Sequence, residues 1–372
     1  MRTVGVEEEL LVVDPETGQA LALAAAVVAL DGRDDGAGAP GGTLEGELQL
    51  QQVEVDTHPQ TDLSALADDV VAARARAAEA AGRVGAQIAA LATSPLPTTP
   101  RTTPAARYLT MAERFGLTES EQLTCGLHVH VGVESDDEGV AALDRIRVWL
   151  PTLIALSVNS PFWSGVDSGY GSFRSQLWNR WPTAGPLELL GSADAYHRLV
   201  AEHLATDVPL DAGMLYFDAR LSAQYPTVEV RVADVCLLAQ DTVLVAALCR
   251  ALVETAVRDW RDGRPPDDVP TALLRLASWR AGRSGLDENL VDPGTWRPRR
   301  ASEVVASLVE HVRPALADSG DLDEVQDGVA DLLHRGPGAV RQRTVLHRGA
   351  LSGDVTMADV VRDAVEQTAR PV

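Results

Sequence analysis

The sequence predicts an α+β protein, with antiparallel strands separated by helices and a helical C-terminal third. Two observations indicate this class. In the first two thirds of the chain, short segments that alternate polar and apolar residues are separated by segments in which apolar residues have helical spacing. After residue 239 the pattern is helical almost to the end. Because the sequence shows neither a repeat nor a clear linker, we expect one domain over residues 1–372, strand-rich at about 1–236 and helical at about 237–372.

In the first third of the chain, the residue pattern predicts two strands and one long helix. Residues 3–13 and 44–56 have the composition and alternation of strands, and the turn-rich stretch 31–42 between them predicts a flexible loop. Residues 63–92 are rich in alanine, with leucine and valine at helical spacing, which predicts a single helix. The prolines of residues 93–104 predict a loop after this helix.

The middle of the chain predicts further strands and helices around an aromatic loop. We expect strands at 122–133, 213–218 and 226–232, and helices near 106–116, at 137–158 and at 192–205. Residues 159–187 are rich in glycine, serine and proline yet contain three tryptophans, which is typical of a loop that covers an active site. Turns in the helical part are expected near 263–270, 284–300, 314–320 and 335–338.

The charge of the chain excludes several classes of function. Its formal net charge is −22, and a surface this acidic repels phosphate backbones and anionic lipid, so neither nucleic acid nor a membrane surface is an expected partner. All 32 basic residues are arginine. The absence of lysine excludes Schiff-base chemistry, a pyridoxal-phosphate anchor and a P-loop lysine. Any phosphate must therefore be bound by arginine, backbone amides or metal.

The cysteines and the first residues predict a cytoplasmic protein. Three widely spaced cysteines without a CxxC pair do not form a disulfide framework or a zinc ribbon, and they fit a reducing compartment. The N-terminal residues lack the apolar core of a signal peptide. The longest apolar run, residues 20–30, is too short to span a bilayer.

Charged side chains interrupt the apolar alternation of four predicted strands. Each strand has one apolar face and one face suited to a metal or a phosphate, which carries Glu7 and Glu9, Glu54 and Asp56, His128 and His130, or Glu229 and Arg231. If these polar faces meet, the carboxylates repel one another unless divalent cations neutralise them. Oxygen-rich ligation with little thiolate favours Mg²⁺ or Mn²⁺ over zinc.

Each of these features alone has a plainer interpretation. A single glutamate on a strand is typical of the solvated face of an antiparallel sheet, and Glu229 with Arg231 is compatible with a cross-strand ion pair. The His128–His130 pair is also compatible with a zinc site, a core pair or a surface position. Glu47 would face away from Glu54 on one regular strand, so its participation requires a bend or bulge. The recurrence of the pattern on four strands favours a shared site.

Seven segments resemble the carboxylate–amine ligase family related to type 2 glutamate–cysteine ligase, which belongs to the glutamine-synthetase-like ligases. They are GVEEEL (5–10), QQVEVDTHP (51–59), CGLHVHVG (125–132), NSPFWSG (159–165), GSFRSQLWNRWPTAG (171–185), TVEVRVAD (227–234) and RAGRSGLDENLVDP (280–293). The resemblance covers most of the chain. It implies a curved, mostly antiparallel sheet funnel flanked by helices, as in the catalytic fold of glutamine synthetase and guanido kinases, and a homodimer.

The resemblance also implies a reaction and a set of roles. ATP phosphorylates the γ-carboxylate of glutamate or a similar small-molecule acid, and an amine displaces phosphate to form an amide, with weak glutamate–cysteine ligase activity as a further expectation. The implied Mg²⁺ or Mn²⁺ ligands are Glu7, Glu9, Glu47, Glu54, His128 and Glu229. Arg231 would face the ATP phosphates or the acyl phosphate, and Arg174 would bind a substrate carboxylate or phosphate. His130 is a candidate cofactor-binding residue and general base.

Three other functions share part of this pattern. A metal-dependent hydrolase would use the HVH strand, but amidohydrolases carry HxH on their first strand and often a carbamylated lysine, whereas here HVH is mid-chain and lysine is absent. A non-catalytic nucleotide-binding sensor would bind ATP without turnover. A phosphotransferase would release a phosphorylated product without an amine. The sequence leaves open which acid and which amine are joined.

Overall fold

The computed structural model describes residues 1–31, 41–352 and 356–371. Most of the loop predicted at 31–42 therefore lies outside the described residues. Within them, none of the helices combines the length and the apolar composition needed to cross a membrane.

A seven-stranded antiparallel sheet carries the candidate site. The strands are β1 (Val4–Val13), β2 (Leu44–Gly46), β3 (Gln52–Asp56), β4 (Gln87–Ala89), β5 (Gly126–Gly132), β6 (Phe162–Trp163), β7 (Val166–Asp167), β8 (Ala219–Leu221), β9 (Thr227–Asp234), β10 (Asn289–Val291) and β11 (Pro298–Arg300). The order in the sheet is β2-β3-β1-β5-β9-β8, and β4 pairs with the end of β1. Strands β6 with β7 and β10 with β11 form two separate pairs.

Helices occupy the connections and most of the chain after β9. They are α1 (Ala24–Ala29), α2 (Leu63–Gly82), α3 (Ala106–Phe115), α4 (Leu117–Ser120), α5 (Asp136–Ile146), α6 (Leu150–Ser157), α7 (Arg174–Trp178), α8 (Ala193–Ala205), α9 (Ala239–Arg261), α10 (Thr271–Ser284), α11 (Ala301–Ser319), α12 (Leu322–Arg335), α13 (Gly338–Ser352) and α14 (Met357–Thr368). The predicted α+β architecture is confirmed, while the prediction that one domain contains the whole chain stays a prediction.

The core lies between one face of the sheet and the helices that cover it. Val4 and Val6 of β1, Val129 of β5 and Val230 of β9 are at most 2% exposed and pack with buried residues of α2, α5, α6, α9 and α11. Burying each such side chain contributes about 1.5–3 kcal/mol of transfer free energy. Because side chains alternate along a strand, this arrangement directs the charged residues of the same strands to the opposite face.

Two predicted elements of the first third are wrong in extent. The helix predicted at 63–92 ends at Gly82, and the chain turns at Gly85, whose φ is +73°, before β4 begins. Alanine favours helix, and only the pairing with β1 makes Gln87–Ala89 a strand, so the alanine-rich composition did not reveal the change. The strand predicted at 44–56 is a pair of antiparallel strands, β2 and β3, in which Glu45 is paired with Glu54.

Further elements differ in the rest of the chain. The helix predicted at 137–158 is divided into α5 and α6, and Pro151 lies in the first turn of α6, where its missing N–H costs nothing. The segment predicted as a strand at 213–218 contains a short 3₁₀ helix at Ala212–Met214, and the strand is β8. Helix α11 continues through Pro314, so the turn predicted from 314 begins only after Ser319. The turn predicted at 284–300 contains the β10–β11 pair.

Candidate active site

The predicted polar faces of four strands form one surface of the sheet, here called the acidic face. On it, Glu7 of β1 is paired with Asp56 of β3 and with His128 of β5, and Glu9 is paired with Glu54. The acidic face comprises Glu7, Glu9, Glu54, Asp56, His128, His130, Glu229 and Arg231. The register of the strands therefore brings these side chains together, as the sequence predicts.

Glu47 joins this cluster because the chain reverses direction around it. It follows the last residue of β2, and its side chain accepts hydrogen bonds from the N–H of Leu48 and, at 3.5 Å, from the hydroxyl of Tyr108. A carboxylate oxygen of Glu47 lies within 4.8 Å of carboxylate oxygens of Glu9 and Glu54. The bend that the sequence required between Glu47 and Glu54 is the β2–β3 connection.

Two cavities open along the acidic face. The acidic cavity, of about 580 Å³, is lined by the carboxylate cluster, Arg231 and the aromatic side chains of Tyr108, Trp178, Trp181 and Tyr216. The wide cavity, of about 1020 Å³, is lined by the other ends of the same strands, including Gly5 and Gly132, and by α9 and the end of α11. Glu7 and His130 border both cavities. Both volumes are in the range of small-molecule sites.

The two cavities differ in charge. Of the described residues, eight carboxylates and three guanidinium groups line the acidic cavity. Six carboxylates and five guanidinium groups line the wide cavity, counted over the same ranges. The acidic cavity thus has a large excess of negative charge, whereas the wide cavity is nearly balanced.

Three groups of side chains on the acidic face have the spacing of metal ligands. They are Glu7, Glu54 and His128; Glu7, His130 and Glu229; and Glu9, Glu47 and Glu54, and in each group the ligand atoms lie within 4.8 Å of one another. In the described part of the chain, Nε2 of His128 is buried without a hydrogen-bond partner. A buried orphan nitrogen beside several carboxylates fits a divalent cation, and the oxygen-rich donor set fits Mg²⁺ or Mn²⁺.

Burial and mutual repulsion make two of the carboxylates reluctant to ionise. Burial, reinforced by the charges of Glu7, Glu47 and Glu9, raises the pKa of Glu54 well above its usual value. Burial, reinforced by Glu47 and opposed by Arg174, raises the pKa of Glu9 to about 7. A cation bound between these groups would reverse both effects because it stabilises the ionised carboxylates.

Glu7 is ionised because two histidines contact it. Nδ1 of His128 lies 3.1 Å from one carboxylate oxygen, and Nε2 of His130 lies 3.1 Å from the other. Burial alone would raise the pKa of Glu7, but these contacts lower it well below its usual value. Burial, reinforced by Arg231, lowers the pKa of His128 to about 4, so its imidazole is neutral and suited to bind a metal. Burial would also lower the pKa of His130, but Glu7 raises it overall.

Glu229 is held between two arginines. Arg220 of β8 donates to both of its carboxylate oxygens, at 2.7 and 3.2 Å, and Arg231 donates to one of them. Burial would raise the pKa of Glu229, but the two guanidinium groups lower it to about 2. Sequence reasoning missed Arg220 because the strand that carries it was expected at 213–218.

Arg174 is buried beside the acidic cavity and lines neither cavity. Its guanidinium group lies 5.4 Å from the ring centroid of Trp178, donates to the carbonyl of Arg231 at 3.5 Å and lies 4.0 Å from Asp234. It also lowers the pKa of Glu9 relative to burial alone. Its predicted contact with a substrate therefore requires movement of the surrounding side chains and stays a prediction.

Asp234 is a further residue of the site that sequence reasoning missed. It accepts hydrogen bonds from the N–H of Asn159 at 2.9 Å and from the hydroxyls of Ser160 and Ser172 at 2.7 Å each. These bonds fix both ends of the segment that leads to Arg174. Trp178 and Trp181, farther along the predicted active-site loop, line the acidic cavity.

A bulge explains why Asp234 lies on this side of the sheet. On β5 one residue separates Leu127 from Val129, whereas two residues separate their partners on β9, Ala233 and Val230. The extra residue reverses the alternation, so Asp234, paired with Gly126, shares the face of Glu229. Sequence patterning with a strict period of two could not predict this.

Comparison with known proteins identifies a family that the chain matches over almost its whole length. The family model of glutamate–cysteine ligase family 2 matches residues 3–366. A relative from Streptomyces avermitilis, provisionally named glutamate–cysteine ligase 2-1, is 56% identical, with 99% of each chain covered. One from Streptomyces coelicolor, provisionally named glutamate–cysteine ligase 2, is 54% identical over 97% of this chain and 99% of its own.

Two solved structures share the fold. A glutamate–cysteine ligase from Francisella tularensis, in complex with AMP, has a TM-score of 0.64 at 13% identity, with 99% of this chain and 89% of that chain covered. A bifunctional glutathione synthetase from Pasteurella multocida has a TM-score of 0.62 at 13% identity, with 99% and 52% covered. The predicted fold, that of the glutamine-synthetase-like ligases, is confirmed. The chain belongs to glutamate–cysteine ligase family 2, a family of ATP-dependent ligases that form carbon–nitrogen bonds.

Proposed function

We propose that this protein joins a small carboxylic acid, glutamate or a close analogue, to an amine through an acyl phosphate formed from ATP. A carboxylate oxygen of the acid attacks the γ-phosphorus, and ADP leaves. The amine nitrogen then attacks the acyl carbon, and phosphate leaves as the amide forms and the nitrogen loses a proton. The observation that carries this proposal is the buried carboxylate cluster with Arg231 at its edge in a family of ligases.

The acidic cavity has the chemistry that phosphoryl transfer requires. Such reactions depend on positioning and on neutralisation of charge more than on covalent participation of the protein. Mg²⁺ bound by Glu7, Glu9, Glu47, Glu54, His128 and Glu229 would supply that neutralisation. Arg231 is 7% exposed, borders the cavity and offers a planar set of donors, which suits a phosphate oxygen.

The wide cavity suits the nucleoside of ATP. Base and ribose carry no charge, and the lining of this cavity is nearly balanced, with Pro59, Val133 and Tyr225 among its apolar side chains. Gly5 leaves space against β1 because it lacks a side chain and a β-carbon there would meet its nearest neighbour only at 3.6 Å. A nucleotide bound there would extend its phosphates past Glu7 and His130, which border both cavities, toward the carboxylate cluster.

Substitutions at Gly5 test this orientation. A β-carbon at residue 5 would meet its nearest neighbour at 3.6 Å, an ordinary contact, so Gly5→Ala is the matched control. The larger Gly5→Val should raise the KM for ATP about tenfold or more while the KM for the acid stays within about twofold. An unchanged KM for ATP together with a raised KM for the acid would reverse the assignment of the two cavities.

The aromatic side chains of the acidic cavity would protect the acyl phosphate. Tyr108, Trp178, Trp181 and Tyr216 form one wall of this cavity. Such a wall limits the access of water, which would otherwise hydrolyse the intermediate before the amine arrives. His130 remains the proposed acceptor of the amine proton, because it borders both cavities and its partner Glu7 favours the protonated imidazole.

Release of ADP from Mg·ATP tests the reaction directly. We would supply glutamate together with single amines, including cysteine, and identify any product by mass spectrometry. ADP that appears only with a particular amine supports the ligase and names the acceptor. ADP formed without any amine, together with a stable phosphorylated acid, would support a phosphotransferase instead. ATP binding without turnover across several acids would support a sensor. The predicted homodimer and cytoplasmic location stay predictions, and the mass in solution would test the first.

A further inference from the structure

One arginine of the acidic cavity, Arg107, is not bound to the carboxylate cluster. Of the three arginines that line this cavity in the described part of the chain, Arg220 and Arg231 both contact Glu229. Arg107, at the beginning of α3, forms an ion pair with Asp211 instead. The side chains of this pair are 38% and 43% exposed, so a molecule in the cavity can reach both. The proposed binding of metal and ATP uses neither residue.

The pairing with Asp211 occupies only one edge of the Arg107 guanidinium group. Nε and Nη2 donate to the two carboxylate oxygens of Asp211 at 2.7 and 3.0 Å. A guanidinium group has five N–H donors, so the edge formed by Nη1 and Nη2 retains donors of its own. Among the described residues, Nη1 donates only to the sulfur of Met111, at 3.5 Å, and a thioether is a weak acceptor. This edge is therefore suited to bind a carboxylate through two hydrogen bonds.

Gly213 keeps the space beside the pair clear. It lines the same cavity, and a β-carbon there would lie 3.2 Å from Nη2 of Arg107 and 3.0 Å from the carboxylate of Asp211. Such contacts are shorter than usual for a β-carbon, so with any larger residue the pair would have to move. Asp211 in turn fixes the plane of the guanidinium group, because a contact at two points leaves it little freedom to rotate.

Tyr108 connects Arg107 to the carboxylate cluster. The guanidinium carbon of Arg107 lies 5.5 Å from the ring centroid of Tyr108, and the hydroxyl of the same tyrosine donates to Glu47 at 3.5 Å. One tyrosine side chain and its two contacts thus span the separation between Arg107 and Glu47. A five-carbon dicarboxylic acid, with a metal ion at one end and a guanidinium group at the other, spans a similar separation.

We propose that Arg107 binds a substrate carboxylate that takes no part in the reaction, and that this carboxylate belongs to the amino-acid end of glutamate or a similar acid. Two substrates can supply such a group, namely the acid or an amino acid that acts as the amine. Asp211 favours the acid, because its carboxylate suits an α-ammonium group, whereas the nitrogen of the amine must reach the acyl carbon at the metal cluster. The inference rests on the proposed function in that the reacting carboxylate lies at this cluster.

Discrimination between glutamate and 4-aminobutyrate tests the subsite. The second acid keeps the carboxylate that would be phosphorylated and lacks the other one. The parent should favour glutamate by about a hundredfold or more in kcat/KM. In Arg107→Gln this preference should fall about tenfold or more through a raised KM for glutamate, while kcat/KM for 4-aminobutyrate stays within about twofold. Arg107→Lys should lie between the two, since it keeps the charge without the planar group. A purely structural defect would lower the activity with both acids equally.

Arg114 of the same helix provides the matched control. It lies 3.4 Å from Asp207, another aspartate of the segment that contains Asp211, but lines neither cavity. Arg114→Gln should therefore keep the preference of the parent. A comparison of cysteine with cysteamine at fixed glutamate tests the other source of the carboxylate. If Arg107→Gln lost a preference for cysteine while its KM for glutamate stayed the same, the assignment to the acid would be overturned.

Binding of glutamate, measured by calorimetry with Mg²⁺ and without ATP, separates the subsite from the reaction. Binding that is about tenfold weaker in Arg107→Gln, in a protein whose parent releases no ADP, would leave the subsite standing and overturn the ligase reaction. A parent that releases ADP with both acids equally well, or a preference for glutamate that Arg107→Gln retains, would overturn the subsite alone. A parent that neither binds glutamate nor turns it over would overturn both.

Discussion

The guanidinium group of Arg174 lies directly against the α-carbon of Gly126, so that a β-carbon at residue 126 would overlap Nη2 of the arginine. The N–H of the same glycine donates to Glu9 at 2.6 Å. Because Gly126 has no side chain, the guanidinium group of Arg174 can lie against the backbone of β5 at the same residue whose N–H binds Glu9, a proposed metal ligand. This contact accounts for glycine here without any need for an unusual backbone conformation, since residue 126 lies in regular strand.

Gly126→Ala should lower turnover by about tenfold or more, because Arg174 must move away from Glu9 and Trp178. Steady-state ADP release and a thermal melt would measure the effect. Gly82→Ala is the matched control, since a β-carbon there meets nothing within 4 Å, and its turnover should equal that of the parent. Full activity of Gly126→Ala would show that the position of Arg174 does not matter for turnover.

Glu54→Gln and Glu229→Gln should each abolish turnover while the fold stays intact. Each substitution preserves shape but removes a negative charge that would hold the cation. The control is Glu45→Gln, because Glu45 is paired with Glu54 across β2 and β3 but is exposed and belongs to none of the three ligand groups. Turnover in the first two variants close to that of Glu45→Gln would remove both residues from the metal cluster.

Arg231→Lys should lose about a hundredfold or more in kcat/KM. Arg231 contacts Glu229 and lies 5.9 Å from the ring centroid of Trp178, and lysine has no planar group that satisfies both and also binds a phosphate oxygen. Arg180→Lys, at a 40% exposed side chain of the same region, is the control and should be nearly neutral. Near-normal kinetics of Arg231→Lys would mean that Arg231 forms only a structural ion pair.

The metal-free protein should become more stable as pH falls from about 8 to 6.5. Burial raises the pKa of Glu9 from 4.5 to about 7, so in this range the folded state binds a proton that the unfolded state does not. The free energy of unfolding should therefore rise by about 1 kcal/mol over this interval. His128 opposes part of the change, because its pKa is lowered from 6.5 to about 4 and the unfolded state therefore begins to bind an extra proton as the pH approaches 6.5. Thermal melts in EDTA would measure it.

Glu9→Gln identifies the group responsible for that pH dependence. Its slope of stability against pH should be smaller than that of the parent, although Asp218, whose pKa burial raises to about 7, keeps part of it. Mg²⁺ should stabilise the parent more at about pH 8 than at pH 6.5, since protons compete with the cation for the carboxylates. Equal slopes in the two proteins would assign the effect to groups other than Glu9.

The parts of the site that follow from strand alternation could be predicted from sequence. A period of two is a local property, so the shared faces of Glu7 with Glu9 and of His128 with His130 were visible before any strand pairing was known. Glu47 was a candidate only with a bend, and the β2–β3 connection supplies it. The contribution of Glu47 thus depended on a turn that composition alone did not locate.

The rest of the site depends on long-range contacts. Arg220 reaches Glu229 only through the register of β8 against β9, and Arg74 reaches Glu8 from a helix 66 residues away in sequence. The helix predicted to residue 92 failed for a related reason, since pairing with β1 makes Gln87–Ala89 a strand. No local pattern in a single sequence contains such information.

The bulge in β9 changes which residues of that strand face the site: odd-numbered residues face it before the bulge, and even-numbered residues face it afterwards. Before the bulge, Glu229 and Arg231 face the metal cluster. After it, Asp234 faces Ser160 and Ser172, at the two ends of the segment that leads to Arg174. Strict alternation through Val232, without the bulge, would instead direct Asp234 into the apolar core. One extra residue thus lets a single strand supply both Arg231, at the proposed phosphate site, and Asp234, the anchor of the segment that leads to Arg174.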